Sequence, residues 1–208
     1  DFFGSSRLQD LIKPDLGSIE SIYDSTTYWD WYVWDETLEV EPDGSEEAPF
    51  YTINLAITTA LNGDRIYVKG GIYKENISFS GKKLFLYSFP TQNQPENVII
   101  QGVGSGSVIS ISEGENDIEI SGFTIKGGEA EFGGGISVIN ASPTLNNLII
   151  KDNYADYGGG IYLEVFNGIL ENVVIDNNVA EQNGAGLYAL NSSPELNMLQ
   201  VLNNKEKP

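Results

Sequence analysis

The sequence of 208 residues predicts an all-β solenoid in which short parallel strands stack turn upon turn, with one short helix near the N-terminal end. A nine-residue pattern recurs every 25 or 26 residues in the C-terminal third. Upstream of it, β-branched and aromatic runs are interrupted by Gly, Asn and Pro, and a single segment has helical spacing. A repeat of this length cannot bury its own apolar face, so it must stack on its neighbours.

The repeat has the form Leu-x-x-Leu-x-Ile-x-x-Asn. Its copies start at Leu145, Leu170 and Leu196, and a weaker copy starts at Ile120. The same pattern fits a leucine-rich repeat, in which a helix or 3₁₀ segment would return the chain. Here the return segment, residues 160–166, is led by glycine and rich in β-forming residues. This composition favours a second strand in each turn.

Equivalent residues of successive copies are expected to lie one above another, about 4.8 Å apart. Two inward apolar ladders follow, namely Ile125, Ile150, Ile175 and Val201, and Phe123, Leu148, Val173 and Leu199. The asparagines that end the copies, Asn153, Asn178 and Asn204, are expected to stack at one corner and bond one another and the turn backbone. The glycine clusters at 133–135, 158–160 and 184–186 are expected to form tight corners that need a positive φ.

Two N-terminal segments have their own patterns. Residues 28–35 alternate aromatic side chains with Asp or Tyr, which suits a half-buried strand. Its rings, Trp29 and Trp31 among them, either form a platform for sugar rings or cover the end or flank of the following domain. Residues 50–63 predict the helix, with Ile53 and Ala56 on its apolar side and Gly63 as its stop. From residue 64 onward we expect strands at 65–68, 77–79, 84–87, 98–100, 108–111 and 118–120.

Charge and composition divide the chain and limit its partners. Residues 1–39 form an acidic, aromatic-rich segment, and residues 40–208 form the solenoid. The net charge is −19, of which residues 1–47 carry −11, so nucleic acid and anionic membranes are not expected partners. No apolar run is long enough to insert into a membrane. Without cysteine or histidine, the chain has no disulfide, no thiolate metal site and none of the usual serine, cysteine or zinc hydrolase machinery.

Two stretches resemble a known group of proteins. Residues 40–45, Phe50-x-Thr52-Ile53-x-x-Ala56-Ile57 and Asp64-x-Ile66-Tyr67-Val68 resemble the pectinesterase-like N-terminal cap and first coil of right-handed parallel β-helix proteins of the pectin-lyase-like superfamily. Asn153-x-Ala155-x-x-x-Gly158-Gly159-Gly160-Ile161-Tyr162 is similar to GGGI-type repeats of bacterial secreted and surface β-helices. The resemblance implies a right-handed parallel β-helix and an extracellular or cell-surface location.

The resemblance carries over no catalytic residue. Pectinesterases use Gln, Asp and Arg in coils after the cap, but residues 84–208 contain neither a Gln-Asp nor an Asp-Arg pair. Lyases of this fold use an Arg or Lys base beside calcium ligands, and the last arginine here is Arg65. The catalytic candidates are therefore Lys126 and Lys151, with Asp176 on the next rung of the same outward column. The alternative interpretation of this column is a solvated face with a weak ion pair.

Two further sets of side chains are candidates for binding. Glu131 and Asp156 form an acidic pair of rungs with the right ligand type for calcium, so calcium is the one cofactor considered. Tyr162 and Tyr188 occupy equivalent outward rungs with Tyr157 nearby, and stacked aromatic rings can bind sugar faces. The alternative is that these rings only shield the sheet.

The sequence thus favours a non-catalytic secreted or cell-surface module that serves adhesion, glycan binding or extracellular scaffolding. Its expected partner is a polysaccharide or a surface protein. One alternative is a polysaccharide lyase or hydrolase of the superfamily. Another is a self-assembling filament subunit, because the last repeat copy stops without a glycine corner or cap and is expected to leave the solenoid truncated or open. Such an end would permit end-to-end self-association.

Overall fold

A computed structural model describes residues 28–35, 41–89, 94–112 and 115–207. These residues are nearly all β and form a parallel β-solenoid of about five turns, which confirms the predicted fold class. Most of the acidic segment 1–39 lies outside the described residues. No helix in the described ranges is long and apolar enough to cross a membrane.

Nineteen strands, numbered in chain order, form three sheets along the described solenoid. Sheet A contains β1 (Asp30–Val33), β2 (Arg65–Lys69), β3 (Gly71–Lys74), β5 (Phe85–Phe89), β6 (Val98–Gln101), β8 (Glu119–Lys126), β11 (Thr144–Lys151), β14 (Ile169–Asp176), β17 (Glu195–Asn197) and β18 (Gln200–Leu202). Sheet B contains β4 (Ile77–Ser78), β7 (Ile109–Ile111), β10 (Ile136–Ile139), β13 (Ile161–Glu164) and β16 (Leu187–Leu190). Sheet C contains β9 (Glu129–Phe132), β12 (Tyr154–Tyr157), β15 (Val179–Asn183) and β19 (Lys205–Glu206).

The repeat spacing sets the register of the sheets. Ile150 pairs with Ile125 on one side and with Ile175 on the other, and all strands of the three sheets pair in parallel. Leu148 pairs in the same way with Phe123 and Val173, so the predicted inward ladders are confirmed at these positions. These side chains are buried in one continuous core, where burial of apolar surface is the main source of stability.

The helix α1 (Ile53–Thr59) is shorter than the predicted segment 50–63. The Thr52 side chain caps its first turn by accepting a hydrogen bond from the backbone N–H of Leu55 at 3.2 Å. Its last turn is held by the Lys82 ammonium, which donates to the carbonyls of Ile57, Thr58 and Ala60 at 2.7–2.8 Å. A lysine distant in sequence therefore satisfies the last carbonyls of the helix, and Gly63 lies in the turn that follows.

The first strand of sheet A comes from the aromatic segment. β1 pairs in parallel with β2, with Trp31 opposite Ile66 and Val33 opposite Val68. The boundary expected at residue 40 therefore separates β1 from the sheet to which it belongs. Trp31 is only 2% exposed, and its indole Nε1 donates to the buried carboxylate of Asp64 at 2.9 Å.

The glycine corners have the predicted positive φ, but at one position in each cluster. Only the first glycine of each cluster has a positive φ, for example +66° at Gly158. In the first two clusters the second and third glycines are required because the next turn lies too close for a side chain, whereas the third cluster has Ala185 at its second position. A Cβ at Gly159 would lie 2.3 Å from the Val179 carbonyl oxygen, well inside van der Waals contact.

Candidate functional site

An open groove of about 630 Å³ lies where sheets B and C meet. It is lined by Ser105, Gly106, Ser107, Ser110, Glu129, Ala130, Glu131, Phe132, Ser137, Ile139, Tyr154 and Asp156. Its lining therefore combines hydroxyls, carboxylates and aromatic rings. Of the residues singled out from the sequence, Glu131 and Asp156 line this groove.

Strand alternation builds the acidic side of the groove. β9 and β12 pair with Tyr154 opposite Glu129 and Tyr157 opposite Phe132, which sets Asp156 beside Glu131. Glu131 and Asp156 stand on neighbouring strands, whose backbones lie about 4.8 Å apart in the hydrogen-bonding direction. In the described part of the chain no group of three or more Asp, Glu, His or Cys side chains could hold a metal ion. In the described residues, Glu131 and Asp156 therefore have no third carboxylate beside them to help bind calcium, which prefers about 6–8 oxygen ligands.

Four aromatic rings form a cluster next to the groove, which we call the aromatic cluster: Phe132, Tyr157, Tyr162 and Tyr188. Phe132 stacks on Tyr157 with ring centroids 5.8 Å apart and packs against Tyr162 at 4.8 Å. Tyr162 and Tyr188 are stacked with an interplanar angle of 4° and centroids 5.6 Å apart. The predicted equivalence of these two tyrosines is therefore confirmed.

Tyr162 does not offer its ring to a ligand, contrary to the expectation. It is only 4% exposed because Phe132 and Tyr188 cover it. Its hydroxyl donates to Glu164 Oε2 at 3.1 Å. Burial, together with the hydrogen bond to the Glu164 carboxylate, raises the pKa of Tyr162 to about 12. Tyr157 and Tyr188 are half-buried and so less covered than Tyr162.

The tryptophans serve the core rather than a platform. Trp31 stacks on Phe50 with centroids 5.8 Å apart inside the solenoid, so its proposed role in ligand binding is wrong. The alternation of β1 turns Trp31 inward, where the sheet needs apolar side chains. Trp29 is half-buried and packs against the same core, and its backbone N–H donates to Asp64 Oδ1 at 3.0 Å.

The lysine candidates lie on another face of the molecule. Lys126, Lys151 and Asp176 pair rung by rung on β8, β11 and β14, as predicted. Their strands belong to sheet A, whereas the groove lies between sheets B and C. The structure therefore separates these lysines from the carboxylates and rings of the groove.

A second set of aromatic side chains escaped sequence reasoning. Tyr32 stacks on Tyr67 at 5.6 Å, and Tyr67 contacts Tyr87 at 5.9 Å on the outer face of sheet A. The Tyr87 hydroxyl donates to Glu119 Oε2 at 2.9 Å. The pKa of Tyr87 is raised, mainly by burial and secondly by this hydrogen bond. These residues alternate with buried ones on β1, β2 and β5, but only the strand register shows that they meet.

No protein-family model matches the chain, and no curated protein matches it. Solved structures are similar at low identity. Pectin methylesterase PemA from Erwinia chrysanthemi is 13% identical with a TM-score of 0.50, and the match covers 82% of this chain and 67% of that protein. A pectin methylesterase mutant in complex with a hexasaccharide is 13% identical with a TM-score of 0.51, covering 87% and 68% respectively.

An alginate lyase from Paenibacillus is 18% identical with a TM-score of 0.48, and the match covers 75% of this chain. The chain spans 55% of the length of that lyase and about two thirds of each methylesterase. The methylesterases are parallel β-helix proteins. At this identity, the likeness to them shows a common fold.

Proposed function

We propose that this chain is a polysaccharide-binding β-helix module and that its binding site is the groove between sheets B and C. The main support is the position of Phe132, which lines the groove and stacks on Tyr157 at its edge. An aromatic face next to hydroxyls and carboxylates matches a sugar ring, which has an apolar C–H face and polar edges.

The polar side chains of the groove are placed to fix the orientation of a sugar. Ser110 is exposed, and Glu131 is exposed on the neighbouring sheet. Ser107 donates to the carbonyl of Phe132 at 3.0 Å and so holds the loop against β9. Hydroxyl and carboxylate groups can hydrogen-bond to sugar hydroxyls. Each of these groups must lose bound water when the sugar binds, which reduces the net gain in binding free energy.

The proposed role is non-catalytic and extracellular or at the cell surface. None of the described residues that line the groove is basic, so the groove itself offers no Arg or Lys to act as a base or to hold an anion. Proteins with a similar fold are named for pectin and alginate, which fits a polysaccharide partner. We also propose, from the sequence, that the chain has a pectinesterase-like N-terminal cap and that its GGGI repeats are of the type found in bacterial surface proteins.

Binding of a panel of neutral and acidic oligosaccharides, measured by titration calorimetry, tests this proposal. Tyr157→Ala should weaken binding about fivefold, which corresponds to about 1 kcal/mol for one sugar–aromatic contact. Tyr28→Ala is the matched control, because Tyr28 is 54% exposed and lies outside the groove. Absence of binding across the panel, or equal affinities for both variants, would refute the proposal.

The alternative function is a polysaccharide lyase or hydrolase, and the Glu131–Asp156 pair is the observation that favours it. Paired carboxylates can serve as acid and base in glycoside hydrolysis. Incubating polysaccharides with the protein, with and without calcium, and measuring their chain length tests for cleavage. Shortening that is lost in Glu131→Gln would establish a hydrolase, and shortening lost in Lys151→Ala would establish a lyase with its base in sheet A. Intact polymers would support the binding module.

Self-association is the third proposal. Strands β17 and β18 and the residues between them expose Leu196, Met198 and Val201, and Met198 is 70% exposed. Sedimentation equilibrium over a range of concentrations distinguishes a monomer from a self-associating subunit. A monomer at all concentrations would exclude the filament, whereas growth into a series of oligomers would support it.

A further inference from the structure

The side of the groove formed by sheet C is acidic. Three of the residues that line the groove carry carboxylates, namely Glu129, Glu131 and Asp156. Glu129 and Glu131 lie on the same face of β9, because strand residues two apart point the same way, and Asp156 lies beside Glu131 on β12. A ligand that enters the groove therefore meets three negative charges on one of its sides.

The described part of the chain does not neutralise these carboxylates. The ion pairs between described residues involve none of the three. Lys207 lies over the ring of Tyr154, a groove residue, with its Nζ 4.5 Å from the ring centroid. Its ammonium is bound to Glu181 Oε2 at 2.8 Å. Glu181 therefore offsets the charge of Lys207, and the groove keeps its excess of negative charge.

A hydroxyl in the groove indicates a polar ligand independently of the charge. Ser137 lines the groove and is only 8% exposed, yet its hydroxyl has no hydrogen-bond partner among the described residues. Alternation with the buried Ile136 and Val138 turns its side chain outward on β10, beside Ser110 of β7. Ser107, by contrast, already donates to a carbonyl of β9 at 3.0 Å. Because nearly buried polar groups are seldom unpaired, a bound ligand is the expected partner of Ser137.

The rest of the lining favours a sugar over a metal ion. Phe132 and Tyr157 stack with ring centroids 5.8 Å apart and give the groove an aromatic side, on which the C–H face of a sugar ring can pack. No group of three or more Asp, Glu, His or Cys side chains in the described ranges could hold one metal ion. The carboxylates are thus better suited to separate ammonium groups than to a single shared cation.

We propose that the groove binds an amino-sugar polymer, a polysaccharide such as polyglucosamine whose rings carry free ammonium groups. In this arrangement a ring packs on Phe132, its ammonium group lies near Glu131 and Asp156, and a ring hydroxyl pairs with Ser137. The inference rests on the proposed function of the groove and adds the chemical class of the sugar. The net charge of −19 attracts a polycation to the chain. A uronic-acid polymer suits this groove poorly, because its carboxylates would face charges of the same sign.

Titration calorimetry with a short glucosamine oligomer and with its N-acetylated counterpart tests the inference, because the two ligands share rings and linkages and differ in charge. At a mildly acidic pH, where the sugar amines carry a proton, the wild type should bind the glucosamine oligomer about tenfold more tightly, as expected for two exposed ion pairs. Glu131→Gln/Asp156→Asn should abolish this preference and leave binding of the N-acetylated oligomer intact. The matched control, Glu47→Gln/Glu96→Gln, removes two exposed charges outside the groove and should keep the preference.

Ser137→Ala tests the position of the sugar. The variant should bind both oligomers about fivefold more weakly, which is the effect of one neutral hydrogen bond. Its midpoint of urea denaturation should stay unchanged, because the hydroxyl has no partner among the described residues of the protein. Wild-type affinity in Ser137→Ala would overturn the placement of the sugar in the groove.

The outcomes separate this inference from the proposed function on which it rests. Equal wild-type affinities for the two oligomers, or loss of the preference in the control as well, would overturn the assignment to amino sugars and leave sugar binding by the groove standing. Failure to bind either oligomer, or any other saccharide, would overturn both. An oligolysine peptide that bound as tightly as the glucosamine oligomer, with no loss in Tyr157→Ala, would show that the groove recognises a basic peptide.

Discussion

The side-chain oxygen of Asn178 accepts two hydrogen bonds from Asn153, one from the backbone N–H and one from the side-chain Nδ2, each 3.0 Å long. Asn178 Nδ2 in turn donates to the carbonyl of Ile150 at 2.9 Å. Both asparagines are buried, so water cannot replace these bonds. One side chain therefore satisfies polar groups of the preceding turn of the solenoid.

Replacing Asn178 by alanine should lower the free energy of unfolding by about 3 kcal/mol, because it leaves buried donors of Asn153 without an acceptor. Urea denaturation measures the change. Asn183→Ala makes the same chemical change at an exposed position and should cost less than about 0.5 kcal/mol. Similar losses in the two variants would contradict the role of the buried asparagine stack.

Gly159→Ala should destabilise the protein by about 3 kcal/mol through steric overlap, since the new Cβ would lie 2.3 Å from the Val179 oxygen and 2.6 Å from the Ala185 oxygen. Gly81→Ala is the comparison. Gly81 has a φ of +82° and open space around it, so the change there should cost only about 1 kcal/mol. A larger loss at Gly81 would show that backbone angle, and not close approach of turns, governs these corners.

Asp64→Ala should both destabilise the protein by about 3 kcal/mol and shift tryptophan emission to longer wavelength. The Asp64 carboxylate accepts hydrogen bonds from Trp31 Nε1, from the backbone N–H of Trp29 and from that of Leu61. Its loss leaves these groups unpaired in a buried site. Trp31→Phe keeps most of the buried volume and should cost less. An unchanged emission spectrum in Asp64→Ala would show that β1 is not anchored through Asp64.

The free energy of unfolding should fall at high pH because the Tyr162 hydroxyl loses its proton. Its pKa is raised to about 12 in the folded protein, against about 10 for an unfolded tyrosine. The folded state therefore holds this proton more tightly, and the stabilisation is full below pH 10 and is lost as the pH rises towards 12. The slope contributed by this one group is at most about 1.4 kcal/mol per pH unit.

Tyr162→Phe removes that titrating group and serves as the test. Between pH 10 and 12 the variant should lose less stability than the wild type, as measured by urea denaturation at a series of pH values. At neutral pH the variant should be about 1 kcal/mol less stable, because the hydrogen bond to Glu164 is lost. If the stability of the two proteins fell equally with pH, Tyr162 would not be the group responsible for the loss.

Sequence reasoning located the strands of the repeat region and paired Lys126 with Lys151 correctly, because a fixed spacing of 25 residues translates directly into register. The predicted element boundaries were less accurate where contacts with residues distant in sequence are involved. The helix ends at Thr59, where the backbone of Ala60 becomes extended and Lys82 satisfies the last carbonyls, and no local signal at residues 60–63 encodes that contact.

The candidate site was only partly accessible from sequence. Glu131 and Asp156 were paired from the repeat, but the groove that contains them depends on how sheets B and C meet. The exposure of an aromatic ring likewise depends on its neighbours. Tyr162 and Tyr188 are equivalent in the repeat, yet Phe132 covers only Tyr162.

The sequence by itself determined the solenoid, its turn length and its inward ladders, because these follow from a repeating pattern of apolar and special residues in which every turn packs on a copy of itself. Tertiary structure alone decided which outward side chains are buried and where a groove forms. These properties arise where the sheets meet and where the first strand and the 3₁₀ turn pack on the stack. Such contacts join residues of different turns and have no period in the sequence.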